Sequence, residues 1–248
     1  MSKPHEGRVA LVTGSSRNLG RAIVEMLASE GASVVIHFHS DGSQSDAESA
    51  AGLIRSNGGK AIVEQADLSS VAAIEELFAK VRERLGRLDV LVNNAGMVLK
   101  KPLVDFSESE YDKLFNINAK AAFFCMKEAA RCMEDEGRII NIATTILGAT
   151  TGMYSAYAGS KAPLEAFTRA LGKELVPRGI TVNAIAPGPL DTQFYYSAET
   201  EDSVSRIKGL NLLGDIKDIV PLVKFIASPE ALWITSQTIF INCGYVGR

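Results

Sequence analysis

What this 248-residue chain lacks narrows its class before any motif is read. Three cysteines are too few for a disulfide framework. Cys125 and Cys132 lie seven positions apart on an expected helix, about 10 Å, which is beyond bridging reach. No apolar run approaches the roughly 20 residues of a membrane span. A formal net charge of −3 offers no field for gathering nucleic acid or anionic lipid. No Pro/Gly/Ser linker, low-complexity tract or internal repeat divides the sequence, so one domain over residues 1–248 is expected. The polar start, Met1 to Arg8, carries no secretory signal, and the cytoplasm is the expected compartment.

What is present is 46% hydrophobic and 22% charged, an ordinary globular balance. Apolar runs bounded by glycines read as strands at Arg8–Thr13, Ser33–Phe38, Lys60–Gln65, Leu88–Val92, Arg138–Ile142, Thr181–Ala186 and Thr238–Asn242. Between them lie helical stripes, among them Leu19–Leu27, Ala47–Ser56, Val71–Leu85, Ser155–Val176 and Asp215–Ala227. Ser107-Glu108-Ser109-Glu110 is a capping-box pattern that opens a helix expected to run to about Met133. Nothing reads as a hairpin. Strands that are apolar on both faces and alternate with helices make a parallel sheet covered on both sides. The expected fold class is α/β: a doubly wound parallel sheet, the Rossmann fold, of about seven strands.

Such sheets bind ligands beyond the carboxyl ends of their strands, at the switch point. The first strand–helix turn is Thr13-Gly14-Ser15-Ser16-Arg17-Asn18-Leu19-Gly20. Gly14 permits the tight turn, Gly20 permits close helix–strand packing, and the helix N-terminus would face a pyrophosphate. Asn18 is the commonest non-glycine type able to take a left-handed conformation there. An acidic residue at the end of the second strand would hold a ribose 2′-hydroxyl, but the chain has His37-Phe38-His39-Ser40 and no carboxylate before Asp41. Arg17 can instead pair with a 2′-phosphate, with His39 and Ser40 on the same side, so NADP is favoured over NAD. His37 and His39 face the same way on a strand but have no evident third ligand, and no metal site is expected.

Further on, Tyr157 and Lys161 stand four apart, one turn along the same helical face. An ammonium beside a phenol favours the phenolate and would draw the tyrosine pKa below its ordinary value of about 10. A tyrosine so tuned can protonate a developing alkoxide or deprotonate an alcohol. Alone the pair is weak evidence.

Taken together, Thr13–Gly20, Asn93-Asn94-Ala95-Gly96, Tyr157–Lys161 and Pro187-Gly188 resemble the classical short-chain dehydrogenase/reductase family. The resemblance runs from about residue 7 to residue 244 and is nearest to reductases of the 3-oxoacyl-carrier type. It implies cofactor contacts from Gly14, Ser16, Arg17, Asn18 and Leu19, and from Asp67 and Leu68 around the adenine. Asn94, Ala95 and Gly96 would form the floor of the adenosine side. Pro187, Gly188 and Thr192 would lie along the nicotinamide, with Tyr157 and Lys161 also touching the cofactor. It implies a catalytic set of Asn118, Thr144, Tyr157 and Lys161, in which Asn118 holds Lys161 through water and Thr144 hydrogen-bonds the substrate carbonyl. The family has serine at the Thr144 position; threonine keeps the hydroxyl but adds a methyl and stiffens χ1. Thr145 would substitute if the loop shifted by one. Asn18 in place of the middle glycine, and Ile234–Gln237 with Asn242–Gly244 near the end, are further departures.

Substrate choice is expected in a lid, about residues 189–213, with Phe194 and Tyr195 facing Thr144, Thr145, Ile146, Met153 and Tyr157. Phe194 to Tyr196 could equally pin the lid to its own domain. Apolar walls suit a ketone on a hydrophobic body. The expected activity is NADPH-dependent reduction of a small-molecule carbonyl to a secondary alcohol. The alternatives are an alcohol or sugar dehydrogenase working oxidatively, or a dinucleotide-binding regulatory protein without chemistry. The resemblance also implies a homotetramer or dimer. Ala119, Ala121, Ala122, Ala129 and Ala130 would suit helix packing against a second copy, or against their own sheet.

Overall fold

Alternation along the strands decides where the core sits. In the first strand, β1 (Val9–Val12), Val9 and Leu11 enter one apolar cluster while Ala10 and Val12 enter another. The chain therefore needs helices on both faces, and it has them. The computed structural model describes residues 3–149 and 151–247. The other strands are β2 (Ser33–Phe38), β3 (Lys60–Gln65), β4 (Val90–Asn93), β5 (Arg138–Ile142), β6 (Thr181–Pro187) and β7 (Thr238–Ile241). The helices are α1 (Asn18–Ser29), α2 (Gln44–Ser56), α3 (Val71–Leu85), α4 (Glu108–Phe115), α5 (Ala121–Cys132), α6 (Ser155–Lys161), α7 (Pro163–Glu174), α8 (Gln193–Tyr196), α9 (Glu201–Gly209) and α10 (Ile216–Ala227).

The seven strands form one parallel sheet in the order β3-β2-β1-β4-β5-β6-β7. One face is covered by α1, α2 and α10 through Ile23, Leu27, Ala50, Ile54, Val223 and Ile226. The other is covered by α3 and α5 through Ile74, Leu77, Phe78, Cys125, Met126 and Ala129. Each such fully buried Ile or Leu contributes about 1.5–3 kcal/mol relative to exposure. The strand order reverses between β1 and β4, and a crevice opens there beyond the strand ends. No helix among the described residues is long and apolar enough to cross a membrane.

Three expectations change in detail. The helix expected from Ser107 to Met133 begins with the capping box, Ser107 accepting from Glu110, but a π turn at Asn116–Lys120 interrupts it. Such a turn inserts one residue and re-aims the side chains on it, here Asn118. The helix expected over Ser155–Val176 breaks after Lys161, because Pro163 has no N–H for the carbonyl of Gly159. The segment expected as a lid loop folds into α8 and α9, capped by the hydroxyls of Thr192 and Thr200. Of the five alanines, Ala119, Ala121, Ala122 and Ala129 are buried within the chain itself, and Ala130 is partly buried against the same core.

Candidate active site

The turn after β1 is built as its residue types require. Gly14 and Asn18 both have positive φ, +62° and +50°, and Asn18 opens α1 in the left-handed region. A Cβ on Gly20 would stand 2.4 Å from the Gly14 carbonyl oxygen and 2.5 Å from Asn94 Nδ2, so only glycine lets α1 approach. Asn94 ties the two sides of the switch point: its Nδ2 donates to the carbonyls of Thr13 and Gly14, each at 3.0 Å. Thr13 Oγ1 accepts from the amides of Asn94 and Ala95, also at 3.0 Å. The first turn of α1 carries no acidic residue, and its N-cap is Arg17. Free amides, a helix dipole and an adjacent guanidinium fit a pyrophosphate-bridged dinucleotide carrying a further phosphate.

A cleft of about 1150 Å³ runs from this turn to the lid. Gly14, Ser16, Arg17, Asn18 and Leu19 line one end, with His39, Asp67 and Leu68 beyond them. Asn94, Ala95 and Gly96 line the middle, and Pro187, Gly188 and Thr192 the far side. Thr144, Thr145, Ile146, Tyr157, Lys161, Phe194 and Tyr195 complete it. Ser40, Asn118 and Met153 do not line it. Met153 is about half exposed, and its backbone carbonyl accepts from the amide of Lys101.

Within the cleft, the hydroxyl of Thr144 hydrogen-bonds the Tyr157 phenol. Thr145 is otherwise engaged: its Oγ1 donates to the Ala186 carbonyl (3.0 Å) and accepts from Asn242 Nδ2 (3.1 Å). Lys161 Nζ donates to the Ile142 carbonyl at the end of β5, at 2.8 Å. The expected lowering of the tyrosine is corrected by this geometry. Burial pushes the Tyr157 phenol up to about 12, against the pull of the Thr144 hydrogen bond. Burial draws the Lys161 ammonium down to about 8. The lysine is turned towards a backbone carbonyl, and desolvation outweighs what its charge does for the phenol.

Asn118 sits behind this pair, 1% exposed. Its Oδ1 accepts from the amide of Met97 and its Nδ2 donates to the Met97 carbonyl and to Ser160 Oγ, all at 2.9 Å. The side chain therefore fastens the loop after β4 to the helix that carries Tyr157 and Lys161. Gly96 is confined by both groups: its Cβ would lie 3.1 Å from Asn118 Oδ1 and 3.2 Å from Lys161 Nζ.

His37 belongs to the site in a way its position on a strand did not reveal. Its Nδ1 accepts from the amide of Gly14 (2.9 Å), and its Nε2 contacts the Ala66 carbonyl (3.0 Å). Both ring nitrogens are used, which removes the pairing with His39 that a metal would need. His39 itself stands 3.7 Å from Asp67. Lys100, Tyr154, Glu199 and Ser203 also line the cleft. Tyr154 was legible in principle, because a residue three before Tyr157 shares its side of a helix. Glu199 was not, lying in the acidic stretch Glu199–Asp202 that reads as a solvated helix start.

The chain matches the family model described as enoyl-(acyl carrier protein) reductase over residues 14–246. It is 38% identical to a short-chain type dehydrogenase/reductase of Picea abies, covering 97% of this chain and 93% of that protein. An NADPH-dependent aldehyde reductase-like chloroplastic protein of Arabidopsis thaliana is 37% identical, with 98% and 96% covered. Among solved structures, a putative dehydrogenase of Burkholderia cenocepacia with bound NADP superposes with a TM-score of 0.95 at 44% identity, covering 100% of this chain and 97% of that one. With the seven-stranded sheet, the glycine turn and the Tyr157–Lys161 pair in register, the chain belongs to the short-chain dehydrogenase/reductase family.

Proposed function

We propose that this protein is an NADPH-dependent carbonyl reductase that converts a ketone or aldehyde with an apolar body to the alcohol. The observation that carries the reading is the hydroxyl pair Tyr157–Thr144 inside the cleft, with Lys161 behind it and the lid in front. A cofactor bound along the cleft supplies hydride to the carbonyl carbon. Thr144 donates to the carbonyl oxygen and orients it, and Tyr157 gives its phenolic proton to that oxygen as charge develops. Lys161 steadies the resulting phenolate. Asn118 holds the Met97 loop and Ser160 so that this geometry does not drift.

The protonation state of Tyr157 supports the reductive reading. A phenol held at about 12 is protonated at neutral pH, the state a general acid needs. Oxidation needs the phenolate, which burial opposes. The phosphate preference rests on Arg17 and His39, which line the cleft where a 2′-phosphate would lie. The NADP in the Burkholderia structure and the NADPH-dependent activity in the Arabidopsis relative's name support the same choice. The substrate side mixes Met97, Ile146, Leu190 and Phe194 with the polar Lys100, Tyr154 and Glu199, so its walls are less apolar than the sequence suggests. Self-association remains part of the reading; Tyr111 and Phe123, each nearly half exposed on α4 and α5, are apolar groups on those helices that could meet a second copy.

The test is NADPH oxidation, beside NADH, over a panel of aldehydes, ketones and 3-oxoacyl thioesters, with Tyr157→Phe as control. Turnover with NADPH that disappears in the variant is the expected result. Equal or better turnover with NADH overturns the cofactor assignment, and cofactor binding without turnover on any carbonyl overturns the reductase.

A further inference from the structure

The segment between β6 and α10 is tied down in two places. At its root, the Asp191 amide donates to the Gly214 carbonyl (2.8 Å) and the Gly214 amide to the Pro189 carbonyl (2.9 Å), a parallel bridge that closes entry against exit. Beyond that root, Glu199 in the turn between α8 and α9 reaches across the cleft. Its carboxylate accepts from the Lys100 ammonium, on the loop after β4, and from the Tyr154 hydroxyl, just before α6. Ser203 on α9 adds a third hydrogen bond. Glu199's side chain is only 6% exposed, although Thr200, Glu201 and Asp202 beside it are exposed. Burial pushes its carboxyl up, but the bonds from Lys100, Ser203 and Tyr154 outweigh this and leave it below the ordinary value.

The tie is close to the chemistry. Lys100 Nζ lies 5.2 Å from the centre of the Tyr154 ring, and that ring is 5.8 Å from the Tyr157 ring. Lys100, Tyr154, Glu199 and Tyr157 all line one cleft, so the ion pair bridges lid and body beside the reacting group.

We propose that the Lys100–Glu199–Tyr154 clasp selects substrates by size, with Glu199 as the specificity-determining residue, a proposal that rests on the reductase reading. Opening a buried pair leaves both charges without partners, which is strongly unfavourable, so the clasp is either made or broken. A compact aldehyde or ketone fits beneath the lid with the clasp made. A long or branched one must break it, and an anionic group near the carbonyl competes with Glu199 for Lys100. The favoured class is therefore compact, uncharged carbonyl compounds rather than acyl chains delivered on a carrier.

The experiment compares kcat/KM for butanal and 4-phenylbenzaldehyde in wild type, Lys100→Met, Glu199→Gln and the double variant. In parallel, tryptic nicking at the lid residues Arg206 and Lys208 is followed in the NADPH-bound proteins. Each single variant is expected to shift the preference towards the bulky aldehyde by at least about tenfold and to be nicked at least about fivefold faster. The double variant, which cannot make the ion pair at all, is expected to stay as permissive as the single variants, within about threefold of them on both measures. Equal losses on both aldehydes, or a double variant that keeps the wild-type preference and nicking rate, overturns the clasp while leaving the reductase standing. Faster nicking of the single variants, with no turnover of either aldehyde by any form, supports the clasp and overturns the reductase reading instead.

Discussion

The amide of Gly14, in the turn built to meet a pyrophosphate, donates to Nδ1 of His37, which is buried and neutral at physiological pH. The tautomer is fixed by the Ala66 carbonyl, which can only accept and so places the proton on Nε2. Ser15 completes the joint: its hydroxyl accepts from the His37 amide, and its own amide donates to the His37 carbonyl. The turn's shape therefore depends on an unprotonated histidine. Burial draws His37 down to about 4 from 6.5. A group held below its ordinary value contributes stability that is present above pH 6.5 and lost as the pH falls through about 4. His37→Phe is expected to weaken NADPH binding by about five- to thirtyfold, the worth of one lost buried hydrogen bond, with a smaller effect on kcat at saturating cofactor. Fluorescence titration measures the first. Thermal melts between pH 7 and 4 measure the second consequence, a fall in Tm that is several degrees smaller in the variant.

Tyr157→Phe removes the proton donor but leaves the cavity's shape. We expect kcat to fall by about 10²–10⁴-fold while NADPH affinity stays within about threefold. The pH profile separates the two titrating groups. Tyr157 remains protonated up to about 12, whereas Lys161 loses its charge near 8. The kcat/KM for reduction should therefore hold level from pH 6 to 7.5 and decline above about 8, as the ammonium is lost. A decline that begins below pH 7 assigns the limiting ionisation to another group.

Thr144 and Thr145 are adjacent and chemically identical, yet the structure gives them different work. Thr144→Ser keeps the hydroxyl that meets Tyr157 and should retain activity within about threefold. Thr144→Val should lose about 10–100-fold in kcat/KM, because an oriented donor to the carbonyl oxygen disappears. Thr145→Val breaks the link between Ala186 and Asn242, just past the end of β7, and should lower stability by about 1–3 kcal/mol. Steady-state rates beside urea unfolding decide the assignment: a catalytic loss confined to the Thr145 variant reverses it.

Local rules and global topology together made much of this legible in the sequence. Gly14, Asn18 and Gly20 announce a phosphate turn because only certain residue types tolerate those backbone angles and approaches, and these angles are found. The strand runs announced a parallel sheet because burial on both faces erases alternation. What local patterns cannot carry is the direction of a side chain whose partner is distant in sequence. Glu199 meets Lys100 across ninety-nine positions, and Asn118 meets Met97 across twenty-one. The π turn that aims Asn118 lies between Phe115 and Ala121, both in ordinary helical conformation, and the apolar spacing on either side of it continues as in an uninterrupted helix. The pKa of Tyr157 departs from what its spacing implies for a related reason: the spacing to Lys161 is visible in sequence, whereas the burial that overrides it is not.

Arg17 is the residue on which the choice between the two nicotinamide dinucleotides turns. It caps α1 in an extended conformation and lines the cleft, and no residue in the first turn of α1 supplies a competing carboxylate. On the other side, His39 faces Asp67, whose carboxyl is held below its ordinary value by the Ser69 amide and hydroxyl. Asp67 therefore keeps its negative charge, which repels a 2′-phosphate unless cations outweigh it, and Arg17 supplies a permanent one in the same cleft. Arg17→Ala should raise the KM for NADPH by about 10–100-fold and leave the KM for NADH within about threefold, because only the phosphorylated ribose loses a charge-assisted partner. Adding sodium chloride should weaken NADPH binding in wild type more than in the variant. Equal losses for the two cofactors would instead mark Arg17 as a cap for α1, and the discrimination would then have to come from His39 alone.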